Sequence, residues 1–238
     1  MKKIFLFCML VPLTGIGQGN VVSAFRVFPR IDKTLEFEKA FAAHAQKFHT
    51  GNWKWRVLSI ESGPDAGGLH VVEGPLSWEQ FDKRGTLGAA HTADWANNVA
   101  PLTVDRGTSG YSEYSTELSN VAVTDYTDKI IITHMYPKSG MIVQATDLVK
   151  KLQKVWQASN ESVAVYRAVA SGPPQLVTVA RLKDGLKELS ESYRKPMAER
   201  YEAAHGAGSW TRYLADYGNA IESRWSEMLF LRADLSSK

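Results

Sequence analysis

The feature that most constrains the fold is an internal repetition of turn and strand signals. A Ser-Gly-Pro turn separates two apolar, β-rich runs at residues 62–64 and again at residues 171–173. Upstream of each turn, an aromatic residue followed by proline ends another β-rich run, first at Phe28 and then at Tyr136, and an amphipathic helical pattern follows. Glycine and proline break regular structure at such points. Each half therefore reads as strand, helix, strand, strand, helix, strand.

This order of elements builds a ferredoxin-like sheet with both helices on one face. The other face has no helical cover within its own half, so its apolar residues need a partner layer. We therefore predict an α+β fold of two tandem ferredoxin-like (βαββαβ) repeats, whose antiparallel sheets pack face to face as an intrachain pseudo-dimeric α/β barrel. Because several landmarks recur in the same order, the pattern also indicates a tandem duplication.

The N-terminus is a targeting segment. Lys2 and Lys3 precede an apolar run at residues 4–16, and small residues follow it, which is the pattern of a secretory signal peptide. We predict a signal peptide at residues 1–19 and export to the periplasm or the medium. The run is short for a membrane span, and we predict no integral span after signal removal. The only cysteine, Cys8, lies in this segment, so we expect no disulfide in the mature chain.

The remaining chain divides at a polar linker. We predict a first repeat at residues 20–120, a linker at 121–127 and a second repeat at 128–238, with a helical insertion at about 187–209. The formal net charge of +3 falls to +1 without the two lysines of the signal peptide, and no basic run is present. We therefore predict no nucleic-acid partner. The barrel is predicted to close within one chain, and the sequence does not indicate further association.

Several segments resemble a known superfamily. They are the run FRVFPRIDKTLEFEKAF, the strand with Trp53 and Trp55, the first Ser-Gly-Pro turn and the helix entry PLSWEQFDK. Together they resemble the dimeric α/β-barrel superfamily, which includes antibiotic-biosynthesis-monooxygenase-like, NIPSNAP-like and haem-degrading or chlorite-dismutase-like proteins. The resemblance implies the same fold over nearly the whole mature chain. It implies no site residue, because the superfamily has no universal catalytic motif.

Two polar residues occupy matching places on the first strand of each repeat. Alternation places His134 on one strand face with apolar neighbours, and Arg26 is its counterpart in the first half. We predict that both face a cavity with Trp55 and Tyr166 nearby, and that these four residues bind a ligand. A buried arginine stays charged and needs an anionic or carbonyl partner, which favours a ligand with an apolar body and an acidic or carbonyl end. The alternative is that Arg26 and His134 point into water.

Three further histidines, His44, His49 and His91, lie in or near predicted helices. His44 lies on the apolar stripe of the first helix, where a packed core residue is the favoured interpretation over a ligand or base. His44 and His49 are five residues apart, which is not the spacing of two ligands on one helix face, so we predict no metal site. His91 and Asp94 are three apart, which suits either an Asp-oriented base or an ordinary helix cap.

Function is less constrained than fold. No phosphate-binding loop and no nucleophile-elbow motif is present, and we predict no cofactor. The favoured hypothesis is an exported protein that binds a small apolar or aromatic ligand inside the barrel. Three alternatives stay open: a cofactor-independent oxygenase or isomerase-type enzyme, a haem protein with a histidine axial ligand, and a structural or partner-binding protein with a filled barrel.

Overall fold

The computed structural model describes residues 19–238. The predicted signal peptide, residues 1–19, lies outside the described residues except for Gly19, and so does Cys8. The first half contains β1 (Val21–Pro29), α1 (Thr34–Phe48), β2 (Trp55–Ile60), β3 (Leu69–Leu76), α2 (Trp78–Asp82), α3 (Ala89–Asp94) and β4 (Thr103–Tyr114). The second half contains β5 (Lys129–Pro137), α4 (Ile142–Ala158), β6 (Val163–Val169), β7 (Leu176–Arg181), α5 (Met197–His205), α6 (Ser209–Ala220) and β8 (Ile221–Leu231).

The eight strands form one closed antiparallel barrel in the order β1-β3-β2-β8-β5-β7-β6-β4. Each half contributes a four-stranded ferredoxin-like sheet, and the two sheets join edge to edge. One seam pairs β2 with β8, where Leu58 lies opposite Leu231, and the other pairs β4 with β6, where Tyr111 lies opposite Val169. Closure pairs each of the eight described strands with a neighbour on both sides. The predicted fold class is confirmed, although the sheets meet along their edges and do not stack as two separate layers.

Helix α1 covers the outer face of the first sheet. Phe37 and Phe41 recur one turn apart on its apolar stripe, and both pack fully buried against Val57 and Val71 of the sheet. Burial of a side chain of this size is worth about 1.5–3 kcal/mol. Because successive strand residues point to opposite faces, the outward position of Val57 sends its neighbour Arg56 into the barrel.

Helices α4, α5 and α6 cover the second sheet. Val149 and Trp156 of α4 pack with Tyr201 of α5 and Tyr213 of α6 in a continuous core. A short 3-10 turn at Gly185–Leu189 precedes α5, so this half carries more helix than the first. The described part of the chain contains no helix long and apolar enough to cross a bilayer.

The segment between β4 and β5 crosses one end of the barrel. Tyr114 donates a hydrogen bond to the carbonyl of Val121, and Arg181 donates to the carbonyls of Ala122 and Val123 at 2.7 and 3.1 Å. Tyr126, from the same segment, lines the barrel interior. The connection between the two halves therefore forms part of the wall of the internal cavity.

Candidate functional site

The barrel interior contains a cavity of about 360 Å³. Inward-facing residues from both halves of the barrel line this cavity, and most of its wall is apolar. The apolar wall includes Val22, Ala24, Leu58, Val72, Ile130, Ile132, Val177 and Val179. A mostly apolar cavity of this size with a few polar groups is the usual composition of a small-molecule site.

The first polar group is an ion-pair cluster formed by Arg26, Asp65, His134 and Glu227. Arg26 donates through Nη1 to Asp65 and through Nη2 to Glu227. The Nε2 atom of His134 lies 2.7 Å from the same Glu227 oxygen, and Trp225 stacks on the His134 ring with centroids 3.9 Å apart. The positive charge of Arg26 is thus met by two carboxylates of the protein itself.

Hydrogen bonding governs the ionisation of this cluster. Burial alone would raise the pKa of Glu227, but the bonds from His134 and Arg26 outweigh it and hold that pKa below its ordinary value. The other ring nitrogen of His134, Nδ1, lies 2.6 Å from the side-chain nitrogen of Gln175. Both nitrogens of His134 are therefore engaged by protein groups, which leaves neither free for a substrate or a metal.

The second polar group is an arginine pair, Arg56 and Arg181. The Arg56 guanidinium lies over the ring of Tyr126, 3.2 Å from its centroid, a cation–π arrangement. Arg181 is buried and donates to two backbone carbonyls of the connecting segment. Within residues 19–238, neither arginine has a carboxylate within 4.0 Å. The arginine pair therefore brings two positive charges to the cavity without an acidic partner in contact.

An uncompensated buried charge is costly and is common at functional sites. Desolvation lowers the pKa of Arg56, as expected for a guanidinium removed from water, although an arginine stays protonated at neutral pH. Tyr166 lines the same region, and burial raises the pKa of its phenol. Two cations and a neutral phenol together form a surface suited to an anionic or strongly polar oxygen.

His70 is a further polar residue of the cavity lining. It lies on β3 between Arg26 of β1 and Leu58 of β2 in the strand register. Its Nδ1 atom is buried and has no hydrogen-bond partner among the described residues. Burial lowers the pKa of His70 to about 4, and the charge of Arg26 acts in the same direction. The imidazole is therefore neutral at pH 7 and can accept a proton or a hydrogen bond.

The structure brings three of the four predicted site residues to the cavity. Arg26, His134 and Tyr166 line it, whereas Trp55 does not. Trp55 lies on the outer sheet face, where it packs on Phe41 with ring centroids 5.5 Å apart. The expected position of Trp55 near Arg26 is wrong, because strand alternation directs Trp55 towards α1. The reason for expecting Arg26 to hold an acidic ligand also does not apply, since its charge already has protein partners.

Glu227 and Asp65 of the ion-pair cluster, and Arg56 of the arginine pair, were not predicted from the sequence. Glu227 has a sequence signal, since alternation along β8 places it between Trp225 and Leu229 on one face, where a carboxylate among apolar residues is unusual. Asp65 follows the first Ser-Gly-Pro turn and has no such signal. Arg56 lies between Trp55 and Val57, so the same alternation rule predicts that it faces inward.

Comparison with known proteins supports the fold. No family model matches the chain, and no curated protein matches it. An anthrone oxidase-like protein of known structure superposes with a TM-score of 0.61 at 12% identity, covering 91% of this chain and 93% of that one. A proposed monooxygenase from Fusobacterium nucleatum gives 0.56 at 12% identity, with 90% and 93% covered. A chlorite dismutase variant from Candidatus Nitrospira defluvii gives 0.54 at 8% identity, with 92% and 94% covered.

These similarities extend over nine-tenths of each chain, but at identities of 12% or less they concern the fold. The shared feature is the eight-stranded antiparallel barrel with helices on its outer surface. The chain therefore has the dimeric α/β-barrel fold of antibiotic-biosynthesis-monooxygenase-like and chlorite-dismutase-like proteins, with both halves of the barrel supplied by one polypeptide.

Proposed function

We propose that the barrel cavity binds a small aromatic molecule that carries an acidic group. The observation that carries this proposal is the arginine pair, which faces a mostly apolar cavity of about 360 Å³ and has no carboxylate in contact among the described residues. The apolar wall suits a planar hydrocarbon body, and Arg56 and Arg181 suit the acidic end. In the ion-pair cluster, Arg26 is already met by two carboxylates, and Asp65 also pairs with Arg106, so the role of the cluster is to set the shape and polarity of its part of the cavity.

The expected contribution of Arg56 follows from the strength of a charge-assisted hydrogen bond. Such a bond is worth about 1.5–3 kcal/mol net, which corresponds to about a 10- to 150-fold change in affinity. The free protein, in contrast, bears the cost of an unpaired, partly buried charge. Removing Arg56 should therefore weaken ligand binding without weakening the fold.

A calorimetric titration with naphthoate tests the proposal. We expect Arg56→Met to bind naphthoate about 10- to 150-fold more weakly than the parent protein, while its thermal unfolding midpoint is unchanged or higher. Arg224→Met is the matched control, because Arg224 is an exposed arginine of β8 outside the cavity. Equal affinity in Arg56→Met and Arg224→Met, or no saturable binding to the parent, would contradict the proposal.

A second candidate function is favoured by His70. We infer that this neutral imidazole could act as a general base in a cofactor-independent oxygenation. It would take a proton from an acidic CH₂ group of the substrate, and the carbanion would reduce O₂. One oxygen atom then forms a new carbonyl and the other leaves as water, so that CH₂ and O₂ become C=O and H₂O. The similarity to an anthrone oxidase-like protein suggests anthrone as the probe.

Oxygen consumption distinguishes this enzyme from a binding protein. With anthrone as substrate, the enzyme hypothesis predicts equal amounts of O₂ consumed and anthraquinone formed, above the rate without protein. His70→Gln should abolish the excess rate and retain naphthoate binding, because the substitution removes the base and leaves the arginine pair intact. A rate unchanged in His70→Gln would remove His70 from the reaction, and no excess rate would leave ligand binding as the function.

Haem binding in the cavity finds no support in His134. An axial histidine needs a nitrogen with a free lone pair directed at the iron. In this protein Nε2 of His134 is bonded to Glu227 and Nδ1 contacts Gln175. We therefore derive no haem chemistry from this residue.

We propose also that the mature protein is exported and that its two halves arose by tandem duplication. The signal-peptide pattern at residues 1–19 supports export, and the matching element order of the two halves supports duplication. N-terminal sequencing of protein from its native source should begin near Gln18 or Asn20. Recovery of cytosolic protein that retains Met1 would contradict export.

A further inference from the structure

A second cluster of titratable groups lies on the opposite side of the first sheet from the cavity. His44 is in α1, His49 follows directly after α1, and His91 is in α3. His44 and His49 are buried and His91 is half-buried. One ring nitrogen from each histidine can be chosen so that all three lie within 4.8 Å of one another. None of the three lines the barrel cavity.

Neighbouring carboxylates orient two of these rings. The Nδ1 atom of His44 lies 2.8 Å from Asp94, and its Nε2 atom is buried with no hydrogen-bond partner among the described residues. The Nδ1 atom of His49 lies 3.5 Å from Glu73, and its Nε2 atom lies 3.3 Å from Nε2 of His91. Each carboxylate thus faces the outer nitrogen of a ring and leaves the inner nitrogen directed into the cluster.

Packing holds the rings in place. Trp55 stacks on the His49 ring with centroids 3.4 Å apart, and Trp95 meets the His44 ring edge-on at 5.3 Å. Glu73 is itself fixed by Arg84, whose Nε donates to it at 2.6 Å. Packing therefore holds the three imidazoles close together in the folded chain before any ligand binds.

The geometry points to a binding site for one divalent transition-metal ion of the zinc class, and we propose that Nε2 of His44, His49 and His91 are its ligands. Three neutral imidazoles with an open fourth position form a known type of zinc site, and imidazole also suits copper, nickel and iron. At a metal–nitrogen distance of about 2.0–2.1 Å, tetrahedral geometry separates two ligand nitrogens by roughly 3.3–3.4 Å. The His49–His91 separation of 3.3 Å matches this value, and the nitrogen of His44 lies within 4.8 Å of the other two.

The carboxylate contacts strengthen the assignment. Metal-binding histidines usually donate their outer N–H to a carboxylate or a carbonyl, which fixes the tautomer and the ring orientation. Asp94 occupies such a position at His44, and Glu73 lies 3.5 Å from the outer nitrogen of His49, which has no hydrogen-bond partner among the described residues. The competing interpretation, a His49–His91 hydrogen bond within an ordinary core, leaves the buried Nε2 of His44 without a partner among the described residues.

Sequence spacing does not reveal this site. The prediction of no metal site rested on the five-residue separation of His44 and His49, but the chain reverses after α1 and brings His49 back towards the helix. His91 joins them from 42 residues beyond His49. Asp94 contacts His44 and not His91, so of the two alternatives for this pair the Asp94-oriented His91 base does not form.

The test uses the tag-free full chain after removal of metal with a chelator. Calorimetric titration with Zn²⁺ should give one saturable site per chain, and Co²⁺ should develop visible absorption typical of tetrahedral coordination. His91→Ala should weaken zinc binding by more than about 100-fold, since it removes a direct ligand, and Asp94→Asn should weaken it by about 10- to 100-fold. His205→Ala is the control, because His205 lies in α5 and contacts the carbonyl of Lys151.

Absence of a saturable zinc site, or equal zinc affinity in His91→Ala and His205→Ala, would overturn the proposal. Thermal unfolding establishes that each variant is folded, and Asp94→Asn gives an independent reading because it keeps all three histidines. Naphthoate binding should be the same in His91→Ala and in the parent protein. The zinc site and the proposed cavity function can therefore succeed or fail separately.

Discussion

Replacement of Glu227 by glutamine is expected to destabilise the barrel strongly. The Glu227 side chain is completely buried and accepts from both Arg26 and His134 through one oxygen. Glutamine keeps the size and one acceptor oxygen, but it removes the negative charge and puts an NH₂ group at the other oxygen position, where Oε2 has no hydrogen-bond partner among the described residues. Arg26 would then retain a single carboxylate partner, Asp65, which is itself partly exposed.

The size of the effect follows from the cost of a broken buried pair. Removal of one partner from such a pair costs about 3–5 kcal/mol. Because Asp65 still neutralises Arg26, we expect the lower end, about 3 kcal/mol. In a protein of this size 1 kcal/mol shifts the unfolding midpoint by about 2–4 °C, so the expected decrease is about 6–12 °C.

Urea and thermal unfolding of Glu227→Gln at pH 7 provide the assay, with Glu222→Gln as the matched control on an exposed site of the same strand. The pKa of Glu227 in the folded protein lies below its ordinary value of 4.5. Its contribution to the free energy of unfolding is therefore complete above pH 4.5 and is lost as the pH falls through the folded-state pKa. The difference between Glu227→Gln and the parent should therefore shrink in acid. A Glu227→Gln protein within 0.5 kcal/mol of Glu222→Gln at pH 7, a difference of about the size of ordinary surface effects, would refute the reasoning.

Two further predictions concern His70 and the closure of the barrel. Because burial lowers the pKa of His70 from 6.5 to about 4, the unfolded chain binds a proton first, and stability should fall by about 3 kcal/mol as pH decreases from 6.5 to 4. His70→Gln should lose this part of the pH dependence. If urea unfolding shows that the free energy of unfolding of His70→Gln changes with pH as in the parent protein, the result would argue against this reasoning. A fragment of residues 21–120 should dimerise or aggregate in gel filtration, since β2 and β4 lose their partners. A monomeric fragment with a sharp thermal transition would show that the halves are independent.

Local rules were sufficient to predict much of the barrel and part of its interior. The duplicated turns and amphipathic patterns indicate the element order, and alternation in β1 and β5 places Arg26 and His134 on one face. The same rule applied to β2 directs Arg56 inward and Trp55 outward. The sequence prediction placed Trp55 among the ligand-binding residues, but that large side chain packs in the core between α1 and the sheet.

The remaining contacts depend on long-range pairing. Glu227 contacts Arg26 although the two are 201 residues apart in sequence. It also contacts His134, because the β5–β8 register sets Glu227 opposite Ile132, two residues before His134 on the same strand face. The three histidines meet only after α1 and α3 pack on the same sheet face. Neither arrangement follows from the spacing of residues in one chain, because strand register and helix docking are set by the packing of the complete barrel.

The most direct test of ligand binding inside the barrel is a crystal structure of the protein grown with bromonaphthoate. The anomalous signal of bromine locates the ring without reference to the protein coordinates. We predict one bromine position within the cavity, with the carboxylate at hydrogen-bonding distance from Arg56. Bromine found only on the outer surface, or between α1 and the sheet, would contradict the assignment of the barrel interior as the ligand-binding site.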